Sequence, residues 1–274
     1  GKVVYAVPGV PWEMRQMMEG TVLGDLRRRA GIGSVIQSRV LRTWGQSESG
    51  LAEDLAGEIE RLDRDGGPTL AFLASGIEGL RVRITAKAGS EGEVLGLLDD
   101  EDERVRALVG RYVFGRDEET MEAVVLDELV GQGLTLAVAE SLTGGLIGTR
   151  LTDIPGASRA FRGSIVAYHG DAKQGLLGVP DGPVVGEAAV RAMAVGACRV
   201  LGADVSVAVT GVAGPEHLGS EPPGTVWMAT SVDGVVEALR VTFPADRAQV
   251  RQFTVITVLN LLRLRLLARR ALDQ

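Results

Sequence analysis

A serine followed by two glycines, together with a lysine further along the chain, has the residue types and spacing that hydrolysis by a Ser–Lys pair requires. Ser141 stands just after the apolar run 134–139 and just before Gly144 and Gly145. This pattern predicts a turn between a strand and a helix, where the Ser141 hydroxyl is exposed beside free backbone N–H groups. A hydroxyl is a weak nucleophile until a base removes its proton. Lys173 is the candidate base, on condition that burial lowers its pKa.

The negatively charged oxygen that forms during such an attack needs hydrogen-bond donors that are already in place. We expect the N–H groups of the turn formed by Thr143, Gly144 and Gly145 to be these donors, because glycine allows close approach of the backbone. Thr210, at the end of a very apolar predicted strand and followed by Gly211, is a second candidate donor. These residues define a predicted substrate site beside the serine and the lysine.

Single residues of these types usually have ordinary structural roles. A serine after a strand more often caps a helix than attacks a carbonyl, and a lone lysine is usually solvated. Tyr168, five positions before Lys173, is on its own typical of half-buried packing, and in a catalytic site it would orient the lysine or relay a proton. The ordered occurrence of Ser141, Lys173 and Thr210 with glycine turns favours the catalytic interpretation.

The composition limits the classes of function. The chain has 274 residues, 45% of them hydrophobic, and a formal net charge of -7. This charge argues against a nucleic-acid partner, which needs many cations near its phosphates. The single cysteine, Cys198, and two histidines form no disulfide and no metal cluster, so we expect no metal at the serine site. Without an apolar run long enough for a bilayer or a leader-like start, we expect a cytoplasmic protein with no membrane partner.

Three stretches with different patterns predict three units. Residues 1–33 show a short strand over 2–7 and a helix over 12–29, whose methionine-rich apolar face we interpret as core packing. Residues 34–117 follow the order strand, helix, two strands, helix, which predicts a small α+β domain. Residues 118–274 interleave helices, one of them over 187–201, with buried strands, and end in a hairpin around Asp233 and Gly234 and a long helix. This order predicts a three-layer α/β/α domain with a mixed sheet.

The segment Gly76-Ile77-Glu78-Gly79 fits the GxxG pattern of an RNA-binding KH loop. A KH loop joins two helices and favours cations, whereas this segment lies between two predicted strands and carries Glu78. We therefore interpret it as a hairpin turn without a role in RNA binding.

Several motifs, occurring in order, together resemble the CinA family (competence-damage-inducible protein CinA). They are Ala139-Glu140-Ser141-Leu142-Thr143-Gly144-Gly145, Thr152-Asp153-Ile154-Pro155-Gly156-Ala157-Ser158, Ala167-Tyr168 with Ala172-Lys173, and Val209-Thr210-Gly211-Val212-Ala213-Gly214-Pro215. The third stretch is similar to the family's C-terminal domain, a nicotinamide mononucleotide deamidase. Residues 9–14 resemble the closing motif of the family's N-terminal, molybdopterin-binding-like domain, and residues 39–51 resemble the start of its KH-like middle domain. The chain therefore resembles a CinA protein that lacks most of its first domain.

The resemblance implies an amidohydrolase that converts nicotinamide mononucleotide to nicotinate mononucleotide and ammonia, in pyridine nucleotide recycling and without a cofactor. It supports Ser141, Tyr168 and Lys173 as the catalytic residues and puts Thr210 in the substrate site. The family pattern has an arginine at the start of the last predicted helix, so Arg247 is expected to bind the phosphate of the substrate. Arg251, one turn further along, is the alternative. The family also forms dimers, so we expect a homodimer.

Two positions differ from the family pattern. Leu142 stands where cysteine is usual, beside the nucleophile but without chemistry of its own. Residues 216–218 replace a glycine-rich loop with bulkier side chains, which are expected to reshape the pocket. Two other functions stay open: a catalytically weak nucleotide-binding or assembly module, and ADP-ribose pyrophosphatase activity, which depends on the missing first domain and a divalent metal.

Overall fold

The computed structural model describes residues 2–30, 33–74 and 76–272. A short helical segment comes first, and two sheets with their helices follow. The helices are α1 (Pro11–Met17), α2 (Leu23–Ala30), α3 (Glu48–Asp54), α4 (Ala56–Asp65), α5 (Glu91–Val109), α6 (Met121–Gly131), α7 (Leu146–Thr152), α8 (Gly170–Leu177), α9 (Glu187–Leu201) and α10 (Arg247–Leu272). The strands are β1 (Val35–Thr43), β2 (Thr69–Ala74), β3 (Leu80–Ala88), β4 (Val113–Arg116), β5 (Leu136–Glu140), β6 (Phe161–Val166), β7 (Val205–Gly211), β8 (Thr225–Val232) and β9 (Val235–Thr242).

The first segment differs from its prediction in two respects. Residues 2–7 form no strand, because an isolated strand has no partner for its backbone N–H and C=O groups. α1 and α2 are joined by a π-helical turn over 18–22, yet Trp12 is 65% and Met17 is 46% exposed. Val22 is buried, but none of the three core clusters of the described structure includes a residue of this segment. The interpretation of its methionine face as core packing is therefore wrong. Helical periodicity creates an apolar face, but burial requires an opposing surface.

The middle sheet has the strand order β2-β3-β1-β4, with every pair antiparallel. Ser47 caps α3 by accepting a hydrogen bond from the N–H of Gly50, and α3, α4 and α5 contribute to a core with β1 and β3. The segment Gly76–Glu78 joins β2 and β3 as the connection of an antiparallel pair, as predicted. The short strand β4 is an addition that the sequence interpretation missed.

The second sheet has the order β6-β5-β7-β8-β9. β5 pairs in parallel with β6 and β7, whereas β7/β8 and β8/β9 are antiparallel, so the sheet is mixed. Alternate residues of each strand face opposite layers: Val138 and Val207 belong to a core with α6, α7 and α10, while Ala139 and Ala208 belong to a core with α8 and α9. The predicted three-layer α/β/α architecture is confirmed.

Side chains of the final helix also reach the middle domain. Arg263 is 3% exposed and donates hydrogen bonds to the backbone carbonyls of Val113 and Arg111, each at 3.2 Å, and to Asn260 Oδ1 at 3.0 Å. Burial lowers the pKa of Arg263.

In the described part of the chain, no helix has both the length and the apolar character that crossing a bilayer requires.

Candidate functional site

The site lies where the carboxyl ends of three parallel strands meet. The chain leaves β5, the middle one of these three strands, toward β6 on one side and then crosses to β7 on the other, which opens a crevice at this edge of the sheet. A cleft of about 500 Å³ occupies the position. Five residues predicted for the site line it, and they are Ser141, Tyr168, Lys173, Gly211 and Arg247.

Ser141 is the first residue after β5 and is 6% exposed. Its N–H donates to the carbonyl of Val209 on β7, which continues the sheet pairing by one residue. The turn 141–145 then leads into α7. Among the described residues, the Ser141 hydroxyl has no hydrogen-bond partner, so it is free to engage a ligand in the cleft.

The residue before the serine, Glu140, was missed by the sequence interpretation. Its side chain is fully buried, and its carboxylate accepts hydrogen bonds from the N–H groups of Gly145 (3.0 Å), Ile147 (3.0 Å) and Gly148 (2.9 Å) and from the Ser164 hydroxyl (2.7 Å). A carboxylate at the first turn of a helix satisfies N–H groups that have no partner within the helix. The signal available in the sequence was a charged residue at the end of an otherwise apolar strand.

The turn glycines have a different role from the predicted one. Gly144 and Gly145 adopt the left-handed region with φ of 59° and 94°, which a residue with a side chain rarely adopts. Their N–H groups are already engaged, that of Gly144 with the carbonyl of Ser141 and that of Gly145 with Glu140. Neither glycine lines the cleft, nor does Thr143. These two N–H groups therefore cannot donate to an oxyanion, because the geometry of the turn uses them.

Lys173 lies one turn into α8 and is 3% exposed. Its Nζ donates to the Thr210 hydroxyl at 3.0 Å and to the carbonyl of Val184 at 3.2 Å, while the Thr210 hydroxyl donates to the same carbonyl at 2.8 Å. Strand alternation directs Thr210 toward the layer that contains α8. Burial lowers the pKa of Lys173 from its usual 10.5 to about 8.

This environment suits an uncharged amine. A neutral amine has two N–H groups, and both have acceptors here, in Thr210 and Val184. Its lone pair is then available to accept a proton in the cleft that Ser141 also lines. Thr210, predicted to bind the oxyanion, is instead fully buried and has its hydroxyl committed to the lysine and to Val184.

Tyr168 and Arg247 pair with each other at the rim of the cleft. Arg247 donates to the Tyr168 hydroxyl at 2.7 Å and to the carbonyl of Gly214 at 2.9 Å. Tyr168 precedes α8 and is 58% exposed, whereas Lys173 lies in the first turn of that helix and is 3% exposed. The predicted contact between Tyr168 and Lys173 is therefore replaced by a contact with Arg247. Within the described ranges, Arg247 forms no ion pair, which leaves its charge available to an anion.

Several other residues that the sequence singled out have structural roles beside the cleft. A Cβ at Gly211 would lie 2.4 Å from the carbonyl oxygen of Thr225, so close approach of β8 requires glycine there. Arg251 donates to the carbonyl of Thr143 at 2.7 Å and supports the turn. Leu142 and the bulky residues 216–218, the positions that differ from the family pattern, line the cleft. In residues 2–30, 33–74 and 76–272, no three His, Cys, Asp or Glu side chains are grouped to hold a metal ion.

Comparison with known proteins identifies the relatives of this chain. The family model of the CinA C-terminal domain matches residues 118–266, more than half of the chain, and the model of the damage-inducible protein CinA KH domain matches residues 38–115. The chain belongs to the CinA family. The CinA KH match covers most of the first sheet, and the CinA C-terminal match contains the second sheet and the cleft.

Curated CinA relatives extend the likeness over nearly the whole chain. A CinA-like protein from Frankia casuarinae is 47% identical over 267 residues, which are 95% of this chain and 61% of that protein. A putative competence-damage inducible protein from Desulforamulus reducens is 38% identical over 266 residues, which are 95% of this chain and 63% of that protein. The chain thus spans less than two thirds of the length of these CinA relatives.

Solved CinA structures match about half of the chain. A competence-damaged protein (CinA) superfamily protein from Klebsiella pneumoniae superposes with a TM-score of 0.53 and 30% identity, covering 54% of this chain and 96% of that one. The corresponding protein from Escherichia coli gives a TM-score of 0.51 and 31% identity, covering 54% and 92%. The mixed α/β fold is therefore that of the CinA superfamily.

Proposed function

We propose that the C-terminal domain hydrolyses the carboxamide of nicotinamide mononucleotide to nicotinate mononucleotide and ammonia. The observation that carries the proposal is the state of Lys173, a buried amine with a pKa of about 8 and two fixed acceptors, in the cleft lined by the free hydroxyl of Ser141. Burial disfavours the charged form of an amine, and titratable groups whose pKa is shifted in this way are commonly found in active sites. Membership of the CinA family supports the choice of substrate.

The reaction divides into acylation and deacylation. Ser141 Oγ attacks the amide carbon while its proton passes to the Lys173 amine. The C–N bond then breaks, and the protonated lysine gives its proton to the departing nitrogen, which leaves as ammonia. Water attacks the resulting ester, Lys173 accepts a proton from the water, and the proton returns to Ser141 Oγ as the carboxylic acid departs.

The wild-type rate is expected to rise with pH through about 8, the pKa to which burial lowers Lys173. Only the uncharged amine accepts the serine proton, so kcat/KM should increase about tenfold per unit at low pH and level off above about pH 8.5. Ammonia release measured between pH 6 and pH 10 checks this. A profile that is flat from pH 6 to pH 9, or one with its midpoint near 10.5, would contradict a buried lysine base.

Arg247→Ala is expected to weaken binding of the phosphate, because the guanidinium at the rim of the cleft is not neutralised by a carboxylate in the described structure. Loss of one charge-assisted contact corresponds to an increase in KM of about 10- to 100-fold. Nicotinamide riboside, which lacks the phosphate, is the matched substrate. Its kcat/KM should be the same in the variant and the wild type, and an equal loss with both substrates would argue against a phosphate contact.

Ammonia release from nicotinamide mononucleotide, compared with free nicotinamide and glutamine, tests the proposal as a whole. Residues 216–218 in the cleft favour a second candidate, a module that binds the nucleotide without turnover. Binding of nicotinamide mononucleotide in calorimetry with no ammonia at any pH would select that second function. Release from glutamine alone would keep the Ser–Lys chemistry but replace the substrate.

A further inference from the structure

The Glu140 carboxylate lies next to the proposed nucleophile in sequence and has no contact with solvent. All four of its partners are donors: three backbone N–H groups at the start of α7 and the hydroxyl of Ser164 on the neighbouring strand β6. A glutamine amide in this position would direct an N–H of its own toward at least one of these backbone N–H groups. The carboxylate accepts from all four groups.

The turn that carries Ser141 is thereby fixed from three directions. Glu140 holds its far end at Gly145, Arg251 on α10 holds the carbonyl of Thr143 at 2.7 Å, and the Ser141 N–H is bonded to β7. Of these contacts, the Glu140 carboxylate is the only one made by a buried charge. It also satisfies the first N–H groups of α7, so that α7 offers none of these three N–H groups to a substrate.

The N–H groups of two residues in the turn stay free. In the described structure, the backbone N–H groups of Leu142 and Thr143 have no hydrogen-bond partner, unlike those of Gly144 and Gly145. Leu142 follows Ser141 and lines the cleft with it. Donors adjacent to the nucleophile are suitably located to stabilise the charge that develops on the attacked carbonyl.

We propose that Glu140 is the positioning residue of this site: its carboxylate holds the turn so that the Ser141 hydroxyl faces the cleft while the N–H of Leu142, the residue of the turn that lines the cleft beside it, remains free for the oxyanion. The inference rests on the proposed amidase function for its substrate, but it concerns the reactivity of Ser141 itself. Glu140 touches no reacting atom and acts through the backbone.

The test compares Glu140→Gln, Glu140→Asp and Ser164→Ala with the wild type by the rate at which a fluorophosphonate probe labels Ser141. Glu140→Gln should label about 100-fold more slowly, the effect of a small misplacement of a nucleophile. With nicotinamide mononucleotide its kcat should fall similarly while KM stays within about threefold. Glu140→Asp should restore part of the rate, and Ser164→Ala should lose less than about tenfold. Glu101→Gln, at a buried carboxylate of the middle domain, is the matched control and should label at the wild-type rate.

A Glu140→Gln protein that melts cooperatively and labels at the wild-type rate would overturn the proposal. Should that variant not fold, hydrogen exchange of the wild type decides: the amide protons of Gly145, Ile147 and Gly148 should exchange as slowly as those of β5, and fast exchange would overturn it. Wild-type protein that labels at Ser141 but releases no ammonia would reject the substrate, while the labelling rates of the variants would still measure the role of Glu140.

Discussion

Ser141→Ala is expected to abolish ammonia release, with kcat reduced by about 10⁴-fold or more, because no other group in the proposed mechanism forms the acyl intermediate. The substitution removes one buried hydroxyl that has no hydrogen-bond partner among the described residues, so the free energy of unfolding should change little. Binding of nicotinate mononucleotide should persist. Ammonia release by a coupled assay, together with a melting curve, measures both effects.

Ser158→Ala is the matched control for this variant. Ser158 is an exposed serine of the same domain and does not line the cleft, so its variant should keep wild-type turnover. Turnover by Ser141→Ala within tenfold of the wild type would exclude covalent catalysis by this serine. It would leave Lys173 as a base that activates water directly.

Lys173→Met is expected to lower kcat by about 10³-fold or more and also to remove the rise in rate near pH 8. The same variant should be more stable than the wild type. The folded pKa of about 8 lies below the usual 10.5, so the folded state disfavours the charged amine. This penalty is fully present below pH 8 and disappears as the pH rises through 10.5. A gain on the order of 2 kcal/mol in the free energy of unfolding is expected at pH 7.

Methionine suits this position because it replaces the amine without leaving a hydrogen-bond acceptor unsatisfied. The Thr210 hydroxyl still donates to the carbonyl of Val184 when the lysine is gone. Lys87→Met, at an exposed lysine of the middle domain, should alter neither turnover nor its pH dependence. An inactive and destabilised Lys173→Met would instead indicate that the lysine supports the fold. An active variant would remove the Ser–Lys mechanism.

The sequence predicted the fold best where patterns were long or the turn chemistry was specific. α9 begins and ends at the predicted residues Glu187 and Leu201, and the hairpin β8–β9 turns at Asp233 and Gly234, both with positive φ. α8, which carries Lys173, was not predicted because its short sequence contains glycines and little periodicity. β4 has only four residues, too few for an alternating pattern.

The sequence predicted which residues form the site better than it predicted the contacts that these residues make. Spacing and family likeness led to Ser141 and Lys173, and both line one cleft. The partner of the lysine is partly a backbone carbonyl, that of Val184, and such a contact leaves no signature in residue types. Glu140 was passed over because a carboxylate is expected at a surface, whereas here the start of a helix supplies enough donors to keep it buried.

Arg263 constrains how the cleft is reached. Rotation of the CinA KH domain away from the CinA C-terminal domain would break the hydrogen bonds from this guanidinium to the carbonyls of Val113 and Arg111. Loss of these acceptors is strongly unfavourable because the guanidinium is a buried charge. The cleft is lined by residues of the C-terminal domain alone, with the exposed Tyr168 and Arg247 at its mouth. Loading and unloading of a ligand therefore require no hinge between the domains.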